Sequence, residues 1–341
     1  MKFEAAVFHI KLRTFVFVIV CLLTLLSPSR ALGQKASSLL PICVNRKCGY
    51  IDRSGRIIVE PRFDLATEFS EGYGSVRIDL KWGYVDERGR MALAPQFTKA
   101  GRFSDGLAGV VNGDLRGFMD KTGQILFTVP FELPGEFSEG LSPGWDENHR
   151  WGYVDKTGKV VIPLQFDFAF PFQGGLARIE LSGKTGYIDK RGTLVIPAQF
   201  DDGRDFFDGM AWIHTQRGSG YIDRAGRSAA KVQSGGDEVR AHGDFSEGLA
   251  CVAVGNKRGF INKVGEIVIK PVFDGCGRFQ EGFGSVGINQ KWGYINRAGK
   301  FVIKPQFIFA DVFSGGIAQV ETEDGFGYIN TTGKYIWKPS R

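Results

Sequence analysis

Apolar residues along this chain fall into short runs separated by Gly, Asp, Asn and Pro. One group reads "WGYVD" (Trp151–Asp155), "KVVIP" (Lys159–Pro163) and "LARIEL" (Leu176–Leu181). In the third run and its counterparts, Val76, Val110, Ile179, Ile213, Val252, Val286 and Val320 form one column. Two residues earlier stands a small residue: Gly74, Ala108, Ala177, Ala211, Ala250, Gly284 or Ala318. Alternation with a period of two predicts half-buried strands. The small residues imply close approach of a second backbone or of a ring, for which the loop phenylalanines are candidates.

A glycine ahead of an aromatic residue recurs at Gly49, Gly83, Gly117, Gly152, Gly186, Gly220, Gly259, Gly293 and Gly327. The spacing is 34 or 35 residues, except 39 between Gly220 and Gly259. Repetition at such a period marks a solenoid, a propeller or another array. After the first run, Asp52, Asp86, Asp120, Asp155, Asp189, Asp223, Asn262, Asn296 or Asn330 opens a turn that Gly closes three residues later. Asx residues start type I turns through the side chain, and Gly accepts the positive φ at the end. Because Asn serves as well as Asp, the position needs a hydrogen-bonding oxygen rather than a charge, which argues against catalysis or metal binding there. Proline at the end of the second run is expected to end that strand, and a loop of the type "FSEG" follows.

The pattern therefore predicts an all-β fold: a tandem array of nine three-stranded antiparallel meanders of ~34 residues each, filling residues 42–341 with no room for a second domain. Such meanders either stack into an open solenoid or close into a propeller. The first unit owns its leading strand at Ile42–Val44, the last ends in "KYIW", and no unit is split between the two ends. The expectation is thus an open, superhelical array, with a closed β-propeller as the alternative.

The strings "KWGYVDERG", "WGYVDKTGKVVIPLQFD" and "KWGYINRAGKFVIKPQF", with the recurring "FSEGLA", resemble the WG-repeat (KWG-repeat) proteins of bacteria across residues 42–341. That family is defined by its repeat, so the resemblance implies a fold and no particular activity. Two units depart from the pattern: the third carries "LSPGWDENHR", and the sixth carries "SAAKVQSGGDEVRAHGD".

The N-terminus changes the picture of charge. Lys11 and Arg13 precede an apolar stretch, Thr14–Leu26, then "SPSR" and small residues at Ala31 and Gly33. This reads as a signal peptide over residues 1–33, followed by a short linker over 34–41 and export to the periplasm, cell surface or medium, without membrane insertion after cleavage. Of the net charge of +6, residues 1–33 contribute +3. No Lys/Arg run is left to mark a nucleic-acid partner. The four cysteines beyond this segment, Cys43, Cys48, Cys251 and Cys276, are candidates for two disulfides in an oxidising compartment, the first pair flanking a tight "VNRK" turn.

Catalytic material is sparse. Beyond residue 33 only His149, His214 and His242 occur, widely separated, so neither a His-based triad nor a zinc site is expected, and no cofactor is implied. "GFGSVG" (Gly282–Gly287) matches G-x-G-x-x-G but opens into a strand, whereas a dinucleotide site needs a helix N-terminus. The recurring acids Glu71, Asp105, Glu139, Asp208, Glu247 and Glu281 suggest a glycosidase-like carboxylate pair. Their regular place before a turn glycine, and its replacement by Gly315, favours a structural role. Binding residues are expected where units differ. Arg178, Glu180, Trp212 and His214 are the candidates, with Trp212 on the exposed side of its strand and Trp145 in the inward valine column. The sequence thus points to an exported, non-enzymatic scaffold presenting a β-surface to a protein or cell-envelope glycan. An envelope carbohydrate-active enzyme and a structural spacer are the alternatives.

Overall fold

The computed structural model describes residues 38–229 and 239–338. The expected signal peptide, most of the linker and part of the sixth unit's insertion lie outside the described residues. Nine antiparallel sheets follow one another along the described chain, each built from consecutive strands. The first (Leu39–Phe63) has three strands and the other eight have four. In the second blade the strands are Leu65–Ala66, Tyr73–Ile78, Lys81–Asp86 and Met91–Phe97. The expected three-stranded meander is therefore corrected by one strand. The added leading strand is mostly two residues long, as at Phe168–Ala169, too short to show a period in sequence. The first strand of the chain also starts at Leu39 rather than Ile42, with Leu39 and Leu40 both buried.

Proline does not end the fourth strand. Val160–Phe166 runs through Pro163 by a register shift: Tyr153 faces Ile162, yet Trp151 faces Phe166. Proline is tolerated because an edge strand at an irregularity needs no ladder donor there. One residue later the chain enters the next blade, so the core lies between blades. Tyr153, Ile162 and Phe166 of the fourth blade pack with Ala169, Phe172 and Ile179 of the fifth. From the second blade on, the loop phenylalanine meets the tyrosine or phenylalanine of the preceding blade, as in Tyr153–Phe172, Tyr187–Phe206 and Phe260–Phe279, with ring centroids 5.0, 4.9 and 4.9 Å apart. The small-residue column makes room for it: a Cβ on Gly284 would lie 2.7 Å from the Phe279 ring. Each buried tyrosine donates to a carbonyl of the next blade, as Tyr153 to Phe170 (2.8 Å) and Tyr187 to Arg204 (2.7 Å). Burial pushes these phenols far above their usual pKa, so they stay neutral donors.

The same contacts close the chain into a ring. Leu40, Ile42 and Ile51 of the first blade form one cluster with Ile317 and Tyr328 of the ninth, with Ile336 and Trp337 packed against it. The Tyr328 hydroxyl donates to the Pro41 carbonyl at 2.8 Å, and Arg53 donates to the carbonyls of Ser314 and Gly315. The molecule is a nine-bladed β-propeller, and the open superhelical array is overturned. The unsplit units had argued for an open form, because propellers commonly close by sharing a blade between the chain ends. Here the seam uses side-chain packing and hydrogen bonds instead. Both disulfides are formed: Cys43–Cys48 across the first hairpin, and Cys251–Cys276 between the seventh and eighth blades.

Candidate functional site

The recurring acids tie the blades together. Each sits at positive φ (Glu71 52°, Asp105 54°, Glu139 54°, Asp208 55°, Glu247 52°, Glu281 55°) ahead of a positive-φ glycine, in a two-residue hairpin turn. Each carboxylate accepts a backbone N–H from the next blade: Gly106 to Glu71 (3.0 Å), Gly140 to Asp105 (2.7 Å), Gly175 to Glu139 (2.9 Å), Gly248 to Asp208 (2.6 Å), Gly282 to Glu247 (3.1 Å) and Gly316 to Glu281 (2.7 Å). Lys121, Lys156, Lys190, Lys263 and Arg297 pair with the first five of them. Where the acid is replaced by Gly174 or Gly315, the cation is Arg224 or Arg53 and donates to a glycine carbonyl instead. These acids are engaged in holding blades together, and the carboxylate-pair reading is not supported by their geometry.

Variation between units concentrates on one tier of the blades, where residues of successive strands face one another. The tier reads Leu65–Arg77–Trp82 in the second blade, Leu133–Trp145–Trp151 in the fourth and Phe168–Glu180–Thr185 in the fifth. In the sixth it reads Asp202–His214–Ser219, in the eighth Gly275–Gly287–Trp292 and in the ninth Phe309–Glu321–Phe326. The tryptophans of the "WG" strings are thus half-buried members of a band that passes from blade to blade. The band is aromatic-rich at the fourth and fifth blades. Trp145 lies 4.6 Å from Trp151, Trp151 4.4 Å from Phe168, and Phe168 5.1 Å from Phe170, all at interplanar angles near 30°. The Arg178 guanidinium closes the run, 3.3 Å from the Phe170 centroid. All four rings are partly exposed.

The four candidates from sequence lie in the fifth and sixth blades. Glu180 and His214 belong to the band, His214 being exposed with Nδ1 3.0 Å from the Ser219 hydroxyl. Arg178 and Trp212 sit one tier deeper. Arg178 donates to Asp205 at 3.1 Å with its side chain 14% exposed. Trp212 is half-buried rather than exposed: its Nε1 donates to the Ala241 carbonyl of the next blade (3.0 Å), and Arg204 lies 5.0 Å over the ring. The alternation rule gave the correct face, but the neighbouring blade covers it. Trp145 is also corrected. Gly144, facing Gly152, occupies the valine column, and the Phe131 ring fills the space a Cβ would need. Trp145 therefore moves to the band opposite Trp151. Sequence reasoning missed the Trp145–Phe170 run, although two tryptophans flanking a tight "DENHR" turn signal a cross-strand pair.

Beneath the band, charge is paired at Arg178–Asp205 and at Arg204–Asp244. Arg204 reaches Asp244 at 3.4 Å, while burial still holds the Asp244 carboxyl above its ordinary range. Burial, then Arg258 and Arg204, lowers the pKa of His242 and favours its neutral form. Among the described residues no group of three His, Cys, Asp or Glu side chains is placed to hold a metal. Gly282–Gly287 leads from a turn into the strand Phe283–Ile288, and so lacks the helix a dinucleotide site requires.

A family profile described as "WG containing repeat" matches residues 49–82, 82–115, 151–184, 186–213, 259–292 and 292–325, more than half of the chain. No curated protein matches the sequence. Among solved structures, a eukaryotic initiation factor aligns with a TM-score of 0.63 at 11% identity, over 89% of this chain and 97% of that one. BamB from Moraxella catarrhalis aligns with a TM-score of 0.44 at 10% identity, over 87% and 98%. The WD40 beta propeller domain of Doa1 gives 0.33 at 11% identity, over 87% and 96%. The first is a likeness of fold alone, and the other two carry no argument.

Proposed function

The chain belongs to the family of WG-containing-repeat proteins, and from that premise we propose that it is an exported, non-catalytic scaffold that binds a protein or a cell-envelope glycan through its variable band. The observation that carries the reading is the run Trp145–Trp151–Phe168–Phe170, four half-exposed rings in sequence across the fourth and fifth blades. Aromatic and Arg residues on a rigid framework are the usual anchors of a binding surface. The framework is rigid because blades are joined by buried rings, tyrosine hydroxyls and carboxylate rungs. Its regular acids are committed to those rungs, which favours binding over hydrolysis. Two disulfides and the N-terminal apolar segment favour an oxidising compartment outside the cytoplasm.

The test is retention of the purified protein on cell-envelope protein extracts and on a glycan panel, comparing wild type with Trp145→Ala/Trp151→Ala. If the run is a hot spot worth about 2 kcal/mol, retention falls about 30-fold while circular dichroism is unchanged. Undiminished retention by the double variant overturns the reading, and turnover of any glycan replaces it with the enzyme. N-terminal sequencing of the exported chain is expected to begin at Gln34.

A further inference from the structure

On the ninth blade the band has a different chemistry. Phe309, Glu321 and Phe326 face one another on three adjacent strands. Residues opposed in this way lie about 4.5–5.5 Å apart and project from the same face. Phe309 and Phe326 are 45% and 56% exposed, among the largest apolar exposures in the structure. The Glu321 carboxylate between them makes no hydrogen bond and no ion pair among the described residues, whereas nearby Glu323 is paired with Lys291 at 3.7 Å.

We propose that Phe309, Glu321 and Phe326 form a binding site for a lysine or arginine side chain of a protein partner. The site rests on the band being a binding surface, and it names the chemistry of one contact there. Two ring faces attract a cation through their quadrupoles, and the carboxylate adds a charge partner. A purely apolar partner would bury Glu321 unpaired, which is costly. An anionic partner would be repelled. The fold already uses half of this arrangement: at the same tier of the second blade, Arg77 lies 5.8 Å over Trp82. In the fifth blade the corresponding Glu180 has Thr185 on one side, and its Phe168 is stacked on Trp151 and Phe170. Only the ninth blade, among those described, sets a carboxylate between two open rings.

The experiment measures fluorescence anisotropy of the full chain with three labelled peptides that differ only in carrying four lysines, four arginines or four norleucines. The lysine and arginine peptides are expected to bind, with the norleucine peptide at least about tenfold weaker. Glu321→Gln at its half-buried position and Phe326→Ser at its exposed one are each expected to cost about tenfold, and Glu323→Gln nothing. The site is overturned if norleucine binds equally, if Glu323→Gln costs as much as Glu321→Gln, or if neither Glu321→Gln nor Phe326→Ser weakens binding. Retention of Trp145→Ala/Trp151→Ala is read separately, so loss of the general reading and loss of this site give different results.

Discussion

Glycine ahead of the aromatic residue is fixed by a steric demand of the main chain. A Cβ at Gly152 would lie 2.5 Å from the Ile162 carbonyl oxygen, and at Gly83, Gly259 and Gly293 2.4 Å from the equivalent atoms. The fourth strand crosses too closely for any side chain, so Gly152→Ala is expected to cost about 3 kcal/mol in urea unfolding. The recurrence of this glycine was legible in the sequence, whereas the strand crossing that demands it was not. The position of Trp145 was not: "LSPGW" breaks the alternation, and counting inward from its polar neighbours misses the anchor that Gly144 provides opposite Gly152. The turn aspartates carry a second prediction. Asp52 is held down to about 2, chiefly by the Ser54 hydroxyl and then by backbone N–H groups. Asp155 is lowered first by the Thr157 hydroxyl. A folded pKa below the unfolded one gives stability that is present above the unfolded carboxylate value, about 4, and is lost as pH falls toward 2. Asn262 makes the same bonds to the N–H groups of Val264 and Glu266 without titrating. Replacing Asp52, Asp120, Asp155, Asp189 and Asp223 together by Asn should therefore flatten the Tm-against-pH profile between about pH 4 and 2 while leaving Tm at pH 7 little changed.

Between elements, stability depends on rungs that cost local strain. A non-glycine residue in the left-handed region loses about 1 kcal/mol, yet six turns accept an acid there because its carboxylate reaches the following blade. Glu139 shows the balance: it accepts the Gly175 N–H and pairs with Lys190 at 3.1 Å. Glu139→Ala keeps the strain and loses the rung, for an expected loss of about 1–2 kcal/mol in urea unfolding. Glu139→Gly relieves the strain and should lie closer to wild type, as Gly174 does naturally one blade on. Glu139→Ala as stable as wild type would show that the rung contributes nothing, and Glu139→Gly below Glu139→Ala that the turn is not strained. The structural role of these acids could be read from their regularity. Their partners could not, since the acid and its glycine amide stand about one repeat apart. The extra strand escaped for a related reason: two residues carry no period, and only the blade beside them reveals the pairing. The Cys251–Cys276 bridge also joins two blades and closes a separation of 25 residues. Its removal by Cys251→Ala/Cys276→Ala is expected to lower stability by about 3 kcal/mol, read by urea unfolding without reductant so that Cys43–Cys48 stays closed.

At the scale of the whole molecule, the repeat count alone left open array and ring undecided, because both bury the same faces between neighbours. What decides is whether the last interface finds a partner. Here Ile317, Tyr328 and Trp337 find Leu40, Ile42 and Ile51, and Arg53 takes the carbonyl positions that Arg224 takes between the fifth and sixth blades. The seam therefore repeats the contacts used elsewhere, and no sheet in the described chain draws strands from both ends. It follows that the ring does not depend on where the chain begins. A circular permutant that joins Lys338 to Ser38 through a short Gly/Ser linker, and opens at Asp167 between the fourth and fifth blades, is expected to fold to the same ring. The single residue between Phe166 and Phe168 is all that is cut, while the side-chain packing and rungs of that interface remain. The measurements are the radius of gyration by solution scattering and the Tm. The ring predicts a wild-type radius and a modest fall in Tm, because the cut interface must reassemble without a covalent link. In an open array Lys338 and Ser38 stand at opposite ends, so the linker could not span them, and the permutant would be expanded or unfolded.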